Sequence, residues 1–178
     1  MGLRRASAYT KKYARPYTRK SAVKRKNYIK AIPPQKIVKL RMGDIKGFNA
    51  GKFKYLVTLS AGEALQIRDL ALEASRQYVH KVLEESCPGQ YFLELKVYPH
   101  HIVREHRVAA GAGADRMAIG MAHSFGITIG RSAFVKNKQP IFLAAVSNDK
   151  SMRTAILALS QIKSKLPCHC LISIEQKK

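Results

Sequence analysis

An excess of positive charge at the amino-terminal end is the feature that most restricts how this chain can fold. Fourteen of its 33 lysines and arginines precede Asp44, which is the first acidic residue. Because so many like charges repel one another, we expect residues 1–30 to stay disordered until they meet a partner. Ile32-Pro33-Pro34 ends this segment. The chain is therefore divided into a basic extension, residues 1–34, and a single folded domain, residues 35–178.

The charge of the whole chain indicates the kind of partner. The formal net charge is +22 and the pI is near 10.3, whereas an apolar content of 46% is typical of a globular protein. The 19 basic residues that follow Asp44 still outnumber the 11 acidic ones, so the folded domain carries a basic face as well. Such a surplus favours a nucleic acid as the partner.

Tyrosines are interleaved with the cations of the extension at Tyr9, Tyr13, Tyr17 and Tyr28. Aromatic rings stack on unpaired bases while cations hold phosphates, so the pattern favours single-stranded or irregular RNA. A nonspecific solubility or localisation segment is the simpler alternative.

Features that determine location are few. The chain contains no run of about 20 apolar residues, and no apolar stretch follows the basic start, so neither a membrane span nor a signal peptide is predicted. An organelle transit peptide is also compatible with the composition. Three cysteines do not make a disulfide framework, and we expect buried structural cysteines in a reducing cytoplasm.

Hydrophobic periodicity predicts the order of elements in the domain. Strands are expected at residues 36–42, 53–59, 91–98, 131–135, 140–146 and 168–175, with a loop at 43–52. A long helix is expected to begin at Ser60, where Glu63 completes a capping box, and to end near Ser86, with Arg68, Arg76 and Lys81 on its outer, solvated face. Asn148 or Asp149 caps a second long helix that Pro167 ends, and a short helix is expected at 115–125. This order predicts an α+β fold: a mixed, mainly antiparallel sheet with two long helices packed on it.

A loop at residues 99–116 is the expected functional element of the domain. Its stem is rich in imidazole and cationic side chains, and its tip is almost bare because Gly111 and Gly113 alternate with alanines. Such a loop can lie close along a phosphate chain, although a plain solvated hairpin tip has the same composition. The predicted functional residues are His100, His101, Arg104, His106, Arg107, Gly111, Ala112, Gly113, Ala114, Asp115 and Arg116. Glu105 and Asp115 either pair with Arg104 and Arg116 or help to bind a hydrated Mg²⁺ ion shared with RNA.

Signals for catalysis are weak. Adjacent histidines such as His100 and His101 point to opposite sides of an extended chain, so they do not favour a shared metal ion. The segment Gly111–Asp115 lacks the strand and helix context of a dinucleotide fingerprint. We therefore expect neither an enzyme nor a metal or other cofactor beyond shared Mg²⁺.

Ten short motifs are spread along the chain: Arg15-Pro-Tyr-Thr18, Pro34-Gln-Lys-Ile37, Gln66-Ile-Arg68, Leu72-Glu-Ala74, Tyr98-Pro-His-His101, Arg104-Glu105, Gly111-Ala-Gly-Ala-Asp-Arg116, Gly120-Met121, Phe125-Gly126 and Lys165-Leu-Pro167. In these motifs the chain resembles a known family of ribosomal proteins of the large subunit, called L-ten-e in archaea and eukaryotes and universal L-sixteen. The resemblance covers about Tyr13 to the end.

The resemblance implies a hammerhead-type α+β fold and binding to large-subunit rRNA. It further implies a loop that reaches toward the peptidyl-transferase centre, near aminoacyl- and peptidyl-tRNA. It also implies neighbouring ribosomal proteins and assembly factors as partners. Together with the charge pattern, it makes the expected rRNA-binding residues Arg4, Arg5, Lys11, Lys12, Tyr13, Arg15, Tyr17, Arg19, Lys20, Lys24, Arg25, Lys26, Lys36 and Arg68.

The chain departs from the family pattern at Ala122 and His123, where arginines are usual, at Ile127, where a lysine is usual, and at 105–108. Residues 21–27 look inserted, and their three cations are candidates to substitute for the arginines that are absent near Ala122. The alternative function is nonspecific binding of nucleic acid, such as DNA compaction.

Overall fold

The computed structural model describes residues 5–10, 29, 31–106 and 126–176. Its strands are β1 Arg41–Gly43, β2 Tyr55–Ala61, β3 Leu65–Arg68, β4 Tyr91–Leu95, β5 His101–Glu105, β6 Ile127–Val135, β7 Pro140–Val146 and β8 Cys170–Gln176. Its helices are α1 Ile45–Asn49, α2 Asp69–Ser86 and α3 Asp149–Gln161, and α3 continues into a 3-10 turn, Ile162–Lys165. The predicted short helix at 115–125 and the predicted disorder of most of the extension lie outside these residues.

The strands form two antiparallel sheets. The larger has the order β1-β4-β7-β2-β8 and the smaller the order β3-β6-β5. In β2 the side chains at alternate positions from Tyr55 to Ala61 are buried, as expected for a strand with one face on the core. The two long helices pack against each other and against the larger sheet. The predicted α+β class is therefore confirmed.

In the second half of the domain, β7 and α3 lie where the local sequence predicts them. Strand β7 has the predicted bounds, and α3 begins after Asn148, one of the two predicted caps. Ala155, Ala158 and Leu159 face the core on successive turns of α3. The chain then leaves the helix through the 3-10 turn, two residues before Pro167, which cannot continue a helix.

The prediction that Ser60 opens the first long helix is wrong. Ser60 lies in β2, and Leu65–Arg68 form β3, which pairs with β6 so that Ile67 lies opposite Ala133. The helix begins only at Asp69, and no side chain caps it. The apolar spacing of this stretch suits a helix, but pairing with a strand more than 60 residues away in sequence determines its conformation.

Four smaller predictions also need correction. Of the strand expected at 36–42, only the last two residues are in a strand, β1. The loop expected at 43–52 contains α1, where the Asp44 carboxylate accepts the Gly47 N–H at 2.8 Å. The beginning of the predicted functional loop is strand β5. Arg76, expected on the solvated face of the helix, is only 7% exposed. It donates to both carboxylate oxygens of Glu73, at 2.7 and 2.6 Å. Met42, in β1, places its Sδ 2.8 Å from the guanidinium, so β1 covers that side of α2.

Candidate nucleic-acid interface at the three-stranded sheet

The predicted functional loop is carried by the β5–β6 hairpin. These strands pair from His101 opposite Ser132 to Glu105 opposite Ile127, so the residues between Glu105 and Ile127 connect them at one end of the smaller sheet. Gly126 closes the base of this connection with a φ of +82°, and a Cβ there would lie 2.3 Å from the Glu105 carbonyl carbon. Only glycine fits this close approach of two backbones.

Arg104 ties the two sides of the hairpin together. Its Nη2 donates to the Gly126 carbonyl at 2.8 Å. This hydrogen bond joins β5 to the residue that precedes β6.

Two pairs of aromatic rings flank the start of β5. The Tyr98 and His100 rings lie 4.5 Å apart, and the His101 and Phe134 rings lie 4.8 Å apart. The two histidines thus have different ring neighbours, as alternation along an extended chain requires. Tyr98 is 38% exposed and Phe134 39% exposed, so both pairs offer ring surface on which bases can stack. Among the described residues no group of three or more metal-ligating side chains is found.

The beginning of the extension is held against β3. The Gln66 N–H donates to the Thr10 carbonyl at 3.2 Å, and Arg68 Nη2 donates to the Arg5 carbonyl at 2.7 Å. Arg68, predicted to face rRNA, therefore positions the amino-terminal segment. Arg5 is exposed, so its side chain is accessible to a phosphate.

The end of the extension is held against β6. Ile29 is only 1% exposed. The Thr128 hydroxyl donates to the Ala31 carbonyl at 3.3 Å, and Arg131 Nε donates to the Pro33 carbonyl at 2.8 Å. Sequence reasoning missed the part that Arg131 plays, because no local pattern shows that residue 33 lies beside β6. Residues 5–10 and 31–33 of the extension thus both contact the sheet that carries the functional hairpin.

A buried polar group lies under this junction. Asp69, the first residue of α2, is 3% exposed and accepts the Leu70 N–H at 2.9 Å. Burial raises the pKa of its carboxyl group, while the backbone N–H groups of Leu70, Arg131 and Lys36 oppose that rise. Behind it, the Ser132 hydroxyl donates to Gln66 Oε1 at 2.8 Å. These contacts connect the start of α2 with β3 and β6.

Cations on the larger sheet are only partly neutralised. Arg41 donates to Glu94 at 2.6 Å, and Lys96 pairs with the same carboxylate. Burial disfavours the charged form of Glu94, but the two cations together hold its pKa below the usual value. The Arg41 and Lys96 side chains thus share one carboxylate, which leaves a net positive charge. Lys36, predicted to bind rRNA, is exposed as well.

The structure describes only some of the predicted site residues. They are Arg5, Lys36 and Arg68 from the rRNA-binding set, and His100, His101, Arg104 and His106 from the loop. The others lie outside the described residues: Arg4, Lys11, Lys12, Tyr13, Arg15, Tyr17, Arg19, Lys20, Lys24, Arg25, Lys26, Arg107, Gly111, Ala112, Gly113, Ala114, Asp115 and Arg116. Within the described part of the chain, no helix has the length and apolar content to span a membrane.

Comparisons with known proteins all indicate the same family of ribosomal proteins. The family model described as ribosomal protein L16p/L10e matches residues 14–173. The chain is similar to the large ribosomal subunit protein uL16 of Caldivirga maquilingensis, with 35% identity over 99% of this chain and 97% of the relative. Proteins of the same name from Staphylothermus marinus and Methanococcus maripaludis are 40% and 37% identical, over 94% and 100% of this chain and 90% and 97% of the relatives.

Proposed function

Because this chain belongs to the L16p/L10e family of ribosomal proteins, we propose that it is a structural constituent of the large ribosomal subunit that binds large-subunit rRNA and helps to position tRNA. The observation that carries the proposal is the convergence at the smaller sheet. Residues 5–10 lie along β3, residues 31–33 contact β6, and β5 and β6 pair from His101 to Glu105, where the predicted loop begins. The smaller sheet therefore contacts the basic extension and also carries the stem of the loop.

The proposed mechanism requires no chemistry from the protein itself. The extension follows the phosphate backbone, its cations neutralising phosphates and its tyrosines stacking on bases. The exposed rings of Tyr98 and Phe134 stack on unpaired bases beside the hairpin. Arg104 holds the hairpin base, from which the glycine-containing tip approaches the peptidyl-transferase centre and the acceptor ends of aminoacyl- and peptidyl-tRNA. Mg²⁺ ions shared with the RNA neutralise the phosphate charge that the protein's cations do not reach.

This function places the protein on cytoplasmic ribosomes. Its partners are large-subunit rRNA, the two tRNAs, neighbouring ribosomal proteins and the factors that assemble the subunit. The expected rRNA-binding set of the extension, together with Lys36, supplies the phosphate contacts, while Arg68 acts through its hydrogen bond to the Arg5 carbonyl.

The dependence of binding on salt tests the role of the extension. If eight of its cations neutralise phosphates, the plot of log affinity for large-subunit rRNA against log salt concentration should have a slope of about −6 to −7. Replacing Arg19, Lys20, Lys24 and Arg25 by glutamine should make this slope less steep by roughly 3. A wild-type slope near −1 or −2 would reject the model. Equal affinity for random duplex DNA at physiological salt would favour the nonspecific alternative.

Replacing the glycines of the tip tests the role of the loop. Changing Gly111 and Gly113 to valine places branched side chains where close approach to RNA is proposed. We expect peptide synthesis by reconstituted large subunits to fall while affinity for rRNA stays within about twofold, a free-energy change of roughly 0.4 kcal/mol. Ala74→Val, at an exposed position of α2, is the matched control. Unchanged peptide synthesis in the double variant would contradict the proposed role.

A further inference from the structure

Two cysteines lie side by side where the 3-10 turn leads into β8. The Sγ atoms of Cys168 and Cys170 are 3.5 Å apart, and both thiols are free and buried. The intervening His169 is exposed. Its backbone N–H donates to the Glu63 carboxylate at 3.3 Å, and its carbonyl accepts the Gly62 N–H at 2.7 Å. The backbone between the two thiols is therefore held on both sides, and little conformational freedom remains to be lost when the sulfur atoms join.

A cavity gives small molecules access to this pair. It has a volume of about 750 Å³, and its lining includes Cys168, Cys170, Arg5, Lys163 and Glu63. Because a water molecule occupies only about 30 Å³, a peroxide fits easily. Lys163 provides positive charge that favours a thiolate on Cys170, whereas the Glu63 carboxylate in the same lining opposes it.

The two sulfur atoms differ in their chemistry. A hydrogen bond with Cys168 lowers the pKa of the Cys170 thiol. Burial opposes this change, the Lys163 ammonium adds to the lowering, and the Glu63 carboxylate opposes it. The same hydrogen bond, followed by burial, raises the pKa of Cys168. Cys170 is thus the better attacking thiolate, and Cys168 is the neighbouring thiol that can resolve its oxidised form.

We propose that Cys168 and Cys170 form a redox modification site that a peroxide converts into an intramolecular disulfide. The Cys170 thiolate attacks one peroxide oxygen and the O–O bond breaks, leaving a sulfenic acid on Cys170 and hydroxide, which becomes water on protonation. The Cys168 sulfur then attacks the Cys170 sulfur, the S–O bond breaks, and a second water leaves with the Cys168 proton. Two thiols lose two electrons and two protons, and one peroxide becomes two waters. A dithiol reductant reverses the step.

Peptide mass spectrometry of the full-length chain tests this proposal. After brief treatment with hydrogen peroxide, trypsin releases residues 166–177 with both cysteines and residues 82–96 with Cys87. We expect the first peptide to lose about 2 Da, a loss that dithiothreitol reverses. The Cys87 peptide is the internal control, because that thiol donates to the Leu83 carbonyl at 3.2 Å and burial raises its pKa. It should remain reduced.

Single variants separate a disulfide from general oxidation. In Cys168→Ser the sulfenic acid on Cys170 cannot be resolved, so dimedone should label Cys170; in the wild type the labelling should be at least tenfold lower. In Cys170→Ser, Cys168 should react no faster than Cys87. In urea the selectivity among the three thiols should disappear. The proposal is overturned if the folded wild type shows no mass loss in the peptide 166–177, or if Cys87 oxidises as fast as Cys170.

Discussion

Replacing Gly126 by alanine should destabilise the hairpin base by an amount that the structure allows us to divide into two causes. The φ of +82° places residue 126 in the left-handed region, which costs an L-residue about 1–2 kcal/mol. The added Cβ would also lie 2.3, 2.4 and 2.5 Å from the Glu105 carbonyl carbon, the Glu105 oxygen and the His106 nitrogen. All three are backbone atoms, and moving them adds overpacking strain of about 1–3 kcal/mol.

Gly51→Ala provides the matched control. Gly51 has nearly the same φ, +77°, but a Cβ there would meet no atom within 4 Å. Replacing Gly51 by alanine should therefore lower the free energy of unfolding only by the cost of the left-handed backbone conformation, about 1–2 kcal/mol. The difference between the two variants, about 1–3 kcal/mol, measures the close approach at the hairpin base.

Equilibrium urea denaturation of the full-length chain, followed by circular dichroism, measures both free energies of unfolding. Hydrogen exchange at the amides of Glu105 and Ile127, a registered pair of the hairpin, should be faster in Gly126→Ala than in Gly51→Ala. Equal loss of stability in the two variants, with unchanged exchange at the hairpin base, would refute the inference that Gly126 is required by backbone contact.

Other substitutions test the remaining contacts. Arg76→Met leaves the buried Glu73 carboxylate without its cationic partner, with Gln77 Nε2 still donating to it at 2.9 Å, and should lower the free energy of unfolding by about 3–5 kcal/mol. Arg41→Met, at a position where the arginine side chain is 61% exposed, should lower it by less than about 1 kcal/mol. Because the Arg76 guanidinium holds the pKa of Glu73 below the ordinary 4.5, the contribution of this pair is complete above that pH and is lost as pH falls through the folded-state pKa; a difference between wild type and Arg76→Met that does not shrink in acid would contradict this. Burial raises the pKa of Asp69 above 3.8, so the folded state binds the proton more tightly and stability falls as pH rises from 3.8 through the raised value. Asp69→Asn should remove this fall in stability and leave the urea midpoint at pH 7 no lower than that of the wild type. A variant that loses more unfolding free energy at pH 7 than at pH 4 would count against this reasoning. Tyr98→Leu should weaken binding to rRNA by about 1–3 kcal/mol if the ring stacks on a base, as measured by filter binding against the wild type, with an unchanged affinity excluding such a contact.

Local sequence was sufficient where an element depends on its own residues. The bounds of β7 and the start of α3 directly after Asn148 follow from residue types and apolar patterning within a few positions, although no side chain caps α3. The separation of 14 cations from every acidic residue is likewise a property of the linear chain, and it indicated a polyanionic partner before any fold was known. The motifs around His100 and Gly111 carried the resemblance to the family that the comparisons established.

Tertiary structure alone decided which of these parts meet. Residues 65–68 have helix-compatible spacing, yet they become β3 because β6 satisfies their backbone hydrogen bonds. Arg76 has the appearance of a solvated helix residue, but Glu73 and Met42 enclose it. Arg68 and Arg131 hold separate parts of the extension on one sheet through carbonyls 63 and 98 residues away. Hydrogen bonds and burial between distant segments leave no periodic trace in the sequence, since they depend on how the elements pack and not on the order of residues within any one of them.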